Sequence, residues 1–173
     1  MIRFLLILFF AVFAYGYDDL LLEAQSSVVP KIALLDKDIS KKLVNGKIVV
    51  AVVYDNDDEN AAKEAVNRIN NAKNKNSIYP VRAIAIEFGQ LYKTDMSILY
   101  VMKSSESNIK RAANSAKQKG IISFAYDKAD LADGIMLSMH IERNAIISLK
   151  RSALRESGVQ FSESFYKMVR IVE

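Results

Sequence analysis

Residues 47–54, KIVVAVVY, are apolar at every inner position. A strand with one face in water alternates apolar and polar side chains, so an unbroken β-branched run means a strand covered on both faces. That is the pattern of a central parallel strand, and it obliges the rest of the chain to supply helices for both sides of a sheet. The sequence supplies them. The stretch YDNDDENAAKEAVNRINNAK follows at once, with Asp57, Asp58 and Glu59 at its start and Arg68 and Lys73 near its end. This charge order complements a helix dipole, and Ala62, Ala65, Val66 and Ile69 form one apolar face. VRAIAIEF (81–88), SILYVM (97–102) and IISFAY (121–126) read as further strands, and ESNIKRAANSAKQKG as a helix stopped by Gly120. Strands alternating with helices predict one α/β domain, with a mixed, mostly parallel sheet and helices on both faces.

Residues 18–35 carry helical spacing, with Pro30 predicting a kink or a restart. Residues 135–149 alternate in two runs, which predicts an antiparallel hairpin. A three-residue loop, Glu142-Arg143-Asn144, sets Ile141 against Ala145, Met139 against Ile147 and Leu137 against Leu149. A two-residue loop would put Met139 opposite Ser148 and turn apolar side chains to the wrong face, so the longer loop is expected, with Asn144 in the left-handed conformation. Beyond it, Ser148 is placed to cap a helix over 149–157, with Leu149, Ala153 and Leu154 inward and Gly158 as its stop. Ser162 is placed to cap a last helix, with Phe161 as a hydrophobic staple and Phe165, Met168, Val169 and Val172 as its stripe.

The amino terminus bears on location. Arg3 precedes an apolar run over 4–13, and Ala14-Tyr15-Gly16 places small residues as in a signal-peptidase site. A spanning helix needs about 20 apolar residues, roughly twice this run. The expectation is a signal peptide over 1–16 and an exported, periplasmic domain over 17–173, with an uncleaved signal-anchor as the other reading. The chain has no cysteine, so an exported domain must rely on burial rather than disulfides. Its net charge of +4 is scattered among acids, which argues against nucleic-acid binding.

Catalytic signatures are missing. There is no glycine-rich dinucleotide or phosphate loop and no nucleophile elbow, so neither an enzyme nor a cofactor is expected. One histidine and no cysteine leave no soft-ligand metal set. His140 falls beside the hairpin turn, opposite Ile146, on the more polar face with Glu142 as its nearest acid. It reads as a half-exposed strand position rather than a catalytic base. The acidic run 55–60 lacks the glycine turn and distal glutamate of a calcium loop and is explained by helix capping. It stands, however, at the carboxyl end of a central strand, where open α/β sheets bind ligands. Tyr54, Asp55, Asp57 and Asp58 are therefore the candidate small-ligand residues. A hydrolase with an unfamiliar carboxylate pair is the third class kept open.

Asp133-Gly134-Ile135-Met136, Ile147-Ser148-Leu149 and Gly158-Val159-Gln160-Phe161-Ser162 follow one another at the end of the chain, after SILYV (97–101) and the aspartate-ended strand 121–127. In this order they resemble the YfiR family of periplasmic proteins. That family shows a G-G-M-I start to its hairpin, then I-N-L, then G-L-x-I-S-S before a last helix. Asp133 stands for the first glycine and Ser148 for the asparagine, and the family's cysteines and tryptophan-proline are absent. The resemblance extends over about residues 20–172 and is densest from Ser97 onward. It implies a periplasmic regulator that restrains an inner-membrane signalling enzyme, foremost a diguanylate cyclase controlling biofilm formation through cyclic di-GMP, or else a sensor histidine kinase. A homodimer is compatible with it. The expected docking residues are Phe165 and Tyr166.

Overall fold

The computed structural model describes residues 16–72 and 77–173, so Lys73 and all but the last residue of the export signal expected over 1–16 lie outside the described residues. Helix α1 (Asp19–Ala33) is followed by β1 (Ile48–Tyr54), α2 (Glu59–Asn71), β2 (Val81–Glu87), β3 (Ile98–Val101), α3 (Glu106–Lys119) and β4 (Ile122–Ala125). The chain continues through β5 (Leu137–Ile141), β6 (Ala145–Lys150), α4 (Arg151–Ser157), α5 (Glu163–Tyr166) and β7 (Val169–Val172). All seven strands join one sheet in the order β2-β1-β3-β4-β5-β6-β7. The first five are parallel, β5 and β6 are antiparallel, and β7 runs parallel to β6.

The two faces of β1 explain its composition. Val50 and Val52 join a core with Ala62, Ala65 and Ile69 of α2 and with Leu22, Val29 and Ile32 of α1. Val49, Ala51 and Val53 join the opposite core with Ile109, Ala112 and Ala116 of α3. Helices α1 and α2 thus cover one face and α3 the other. Gly120 ends α3 at φ 63°, accepting the left-handed conformation that a β-carbon disfavours. Asp18 caps α1 by accepting the Leu21 N–H at 2.7 Å.

The hairpin adopts the expected register: Leu137 pairs with Leu149, Met139 with Ile147, His140 with Ile146 and Ile141 with Ala145. Asn144, however, has no positive φ; the Glu142 N–H donates to the Asn144 carbonyl at 3.1 Å and closes the loop, and Asn45 alone among described non-glycine residues lies in the left-handed region. Helix α1 runs through Pro30 without a restart, because the ring sits within the last turn and removes a single N–H donor close to the helix end.

Two expectations for the tail are corrected. Ser148 does not cap a helix: β6 continues to Lys150, Ser148 pairs with Ser138 inside the sheet, and both hydroxyls are buried. The last helix is only the short α5, and Ser162 turns its hydroxyl to Ser164 rather than to the helix backbone. Val169–Val172 is a strand, in which Val169 lies against Ile147 and Ile171 against Leu149. The spacing of Phe165, Met168, Val169 and Val172 also fits a helix, but β6 offers unpaired backbone groups that β-branched residues satisfy by extending.

Asp130 lies in a 3-10 turn (Lys128–Asp133) between β4 and β5. Burial, then the nearby carboxylates of Asp127 and Asp133, pushes its carboxyl up to about 7. The folded state therefore holds a proton that the unfolded chain has already lost. The contribution of Asp130 to stability is fully present below the ordinary aspartate range, falls as pH rises through the interval from there to about 7, and is level above it. Asp130→Asn is expected to flatten that profile and raise the melting temperature at pH 8. Melts across pH 4–8 check this, and a variant with an unchanged slope would refute it.

Candidate functional site

In the order β2-β1-β3, the chain leaves β1 for one neighbour and returns on its other side. Loops diverge there, and the carboxyl ends of β1 and β3 mark the place at which open α/β sheets bind ligands. Asp55 stands at this point, directly after β1. One carboxylate oxygen accepts the Asn56 N–H at 3.1 Å. The other accepts from Ser104 Oγ at 3.0 Å and Asn108 Nδ2 at 3.1 Å, and Asn108 Nδ2 also reaches Ser104 Oγ at 3.0 Å. Three polar side chains thus converge, Asp55 from the end of β1, Ser104 from the loop after β3 and Asn108 from the first turn of α3, all half-buried.

Aromatic side chains cover the neighbouring part of the same edge. The Tyr17 hydroxyl accepts the Lys103 N–H at 2.9 Å just after β3, and its ring meets that of Tyr126, just after β4, edge to face at 4.7 Å. The Asp18 N–H donates to the Tyr126 hydroxyl at 2.7 Å. The Lys103 ammonium lies 5.0 Å from the centroid of Tyr17 and 5.4 Å from that of Tyr126, a cation held over two aromatic faces. Burial, then the nearby Asp58 carboxylate, holds the Tyr17 hydroxyl far above the ordinary phenol range, so it stays protonated at all physiological pH. The first residues of the described chain thus lie across the ends of β3 and β4.

The four residues expected here meet different fates. Asp55 is central. Asp58 lies near the Tyr17 hydroxyl, which its charge raises, and begins α2 without capping it through its side chain. Tyr54 is half-buried at the rim, its hydroxyl raised by burial and then by Glu59 and Glu87. Asp57 is exposed on the intervening turn. Ser104, Asn108, Lys103, Tyr17 and Tyr126 were not legible as site residues, because they join it only through the order of strands. The polar run KSSESN after β3 was the available signal. Among the described residues no three acidic or histidine side chains gather as a metal site would need.

His140 lies 3.0 Å from Glu142 Oε1 and 3.4 Å from Lys128 Nζ through Nε2. Its hydrogen bond holds the Glu142 carboxyl below the usual range. Among the described residues no hydroxyl hydrogen-bonds to it, so no nucleophile–base pair is formed. Phe165 is corrected as a docking residue: it is fully buried and stacked on Phe161 at 3.9 Å. Tyr166 is 40% exposed, and Ile141 at 40%, Met168 at 55% and Ile171 at 42% are exposed on the same β5–β7 side of the sheet.

These features define the class: a doubly wound α/β domain with a polar and aromatic side-chain cluster at its topological switch point. No protein-family model matches the chain, and no curated protein matches it. Among solved structures it is similar to a conserved domain protein from Vibrio cholerae O1 biovar eltor, with TM-score 0.57, 11% identity, and 84% of this chain and 60% of that one covered. It is also similar to an ABC domain in complex with L-Trp from Streptococcus pneumonia, at TM-score 0.55, 13% identity, and 82% and 62% coverage. A third is a substrate binding protein with adhesive properties from Clostridium difficile, in a ligand-free, open structure, at TM-score 0.55, 13% identity, and 79% and 58% coverage. At such identities the likeness is one of fold, and this chain spans about three fifths of each of those proteins. No described helix is long and apolar enough to cross a membrane.

Proposed function

We propose that this protein is a non-catalytic binding module that takes a small polar molecule at the carboxyl edge of β1 and β3. The convergence of Asp55, Ser104 and Asn108 at the switch point carries this reading. Asp55 supplies a carboxylate for a cationic or donor group, Ser104 and Asn108 supply exchangeable hydrogen bonds, and Tyr17 and Tyr126 offer an aromatic wall for an apolar body. Two of the similar solved structures, one holding L-Trp and one called a substrate binding protein, support a binding role over a catalytic one. Thermal melts against a panel of amino acids, amines and short peptides test it. A ligand at 100 times its dissociation constant stabilises by about 2.7 kcal/mol, which moves the melting temperature of a domain this size by roughly 5–10 °C. Asp55→Asn and Ser104→Ala should abolish that shift while leaving the ligand-free melt within about 2 °C. A panel without effect, or a shift that survives Asp55→Asn, would defeat the reading.

A second reading has its own support. Four apolar side chains on the β5–β7 side of the sheet, Ile141, Tyr166, Met168 and Ile171, are exposed and together offer surface of the kind a protein partner covers. In the regulator implied by the resemblance to the YfiR family, this surface docks on the periplasmic part of a diguanylate cyclase or histidine kinase. Export after Gly16 belongs to the same proposal, and sequencing the amino terminus of the cell's own protein should return Tyr17. Deleting the gene should raise cyclic di-GMP, and a level that stays flat would remove the cyclase from consideration.

A further inference from the structure

The two edges of the sheet are treated differently. At one edge, Ala83 in the middle of β2 turns its backbone away from β1, and the side chain of Asn70 meets both groups. Asn70 Oδ1 accepts the Ala83 N–H at 2.8 Å, and Asn70 Nδ2 donates to the Ala83 carbonyl at 3.1 Å. An amide side chain from α2 therefore occupies the position of the next strand, which blocks further pairing there. At the other edge, β7 has β6 on one side, and among the described residues no side chain or backbone group hydrogen-bonds to the outer side of Val169–Val172. Met168 and Ile171 are exposed at this edge.

We propose that the outer edge of β7 pairs antiparallel with β7 of a second copy, forming a continuous sheet across a twofold axis. A twofold between adjacent antiparallel strands stands perpendicular to the sheet and keeps each face on its own side. Residues directly opposite must therefore be separated by an even number in sequence. The register centred on Arg170 sets Lys167 against Glu173 of the second copy and Val169 against its Ile171, with Met168 against Val172. Two opposite-charge pairs then close the ends, and the apolar pairs extend the face that already holds Ile147 and Leu149. Arg170 faces its own copy across the axis, and Glu142, 4.0 Å from its guanidinium, offsets the like charge in each subunit. Glu173 also reaches Arg151 at 3.2 Å, an exposed pair that is weak enough to share the carboxylate.

Sedimentation of the protein purified from its producing cell, across micromolar to submillimolar concentrations, tests this independently of any ligand. The wild type should dimerise. Lys167→Glu and Glu173→Lys should each weaken the dimer by about tenfold, and the double variant should restore it to within about threefold. Ile171→Lys should be monomeric with an unchanged circular dichroism spectrum, and Asn70→Ala should leave the dimer constant unchanged. A wild type that stays monomeric throughout overturns the proposal. So does a dimer that ignores the single charge reversals or is not rescued by the double one. Ligand binding at Asp55 is measured separately, so loss of one property leaves the other standing.

Discussion

Replacing Gln25 with alanine is expected to remove roughly 3–5 kcal/mol of stability, because three buried groups lose their partner at once. Gln25 is fully buried in α1. Its Nε2 donates to the Tyr126 carbonyl at 3.0 Å and to the Met139 carbonyl at 2.7 Å, and its Oε1 accepts from the Tyr100 hydroxyl at 2.7 Å. One amide therefore joins α1 to β3, to the end of β4 and to β5. Burial holds the Tyr100 hydroxyl well above the ordinary phenol range, so it remains a neutral donor that needs an acceptor. Alanine would leave that hydroxyl and two carbonyls unpaired in a region closed to water, and would open a cavity. A loss of this size is a third or more of a typical domain's stability and should lower the melting temperature by roughly 10 °C. A urea melt showing less than about 1 kcal/mol would mean that water replaces the amide.

Leu137→Ala should cost roughly 2–4 kcal/mol, whereas His140→Ala should cost under about 1 kcal/mol. The two positions are three residues apart on β5, and burial separates them. Leu137 has no exposure and lies between Phe124 of β4 and Leu149 of β6. His140 is half-buried at the hairpin end and bonded to an exposed glutamate. Paired urea melts with equal losses would show that His140 anchors the 3-10 turn through Lys128 rather than resting on the surface.

The sequence determined the elements whose patterns are local and unambiguous. The all-apolar run of β1 required cover on both faces, and α2 and α3 provide it from opposite sides. The hairpin register was legible because a one-residue slip inverts every side chain, so only one loop length matches the alternation of Leu137, Met139 and Ile141 with Ala145, Ile147 and Leu149. Asp55 could be nominated from its place after a central strand alone. The tertiary structure decided what depends on neighbours distant in the chain. Val169–Val172 satisfies a helical as well as an extended pattern, and the free edge of β6 chose the strand. Phe165 belongs to an apolar stripe on either reading, and only its stacking on Phe161 shows that it faces inward. Ser104, Asn108, Tyr17 and Tyr126 reach the neighbourhood of Asp55 because β3 lies beside β1 and the amino-terminal residues cross the ends of β3 and β4. Strand order is set by packing helices on both faces of the sheet, and no local period in the sequence encodes it.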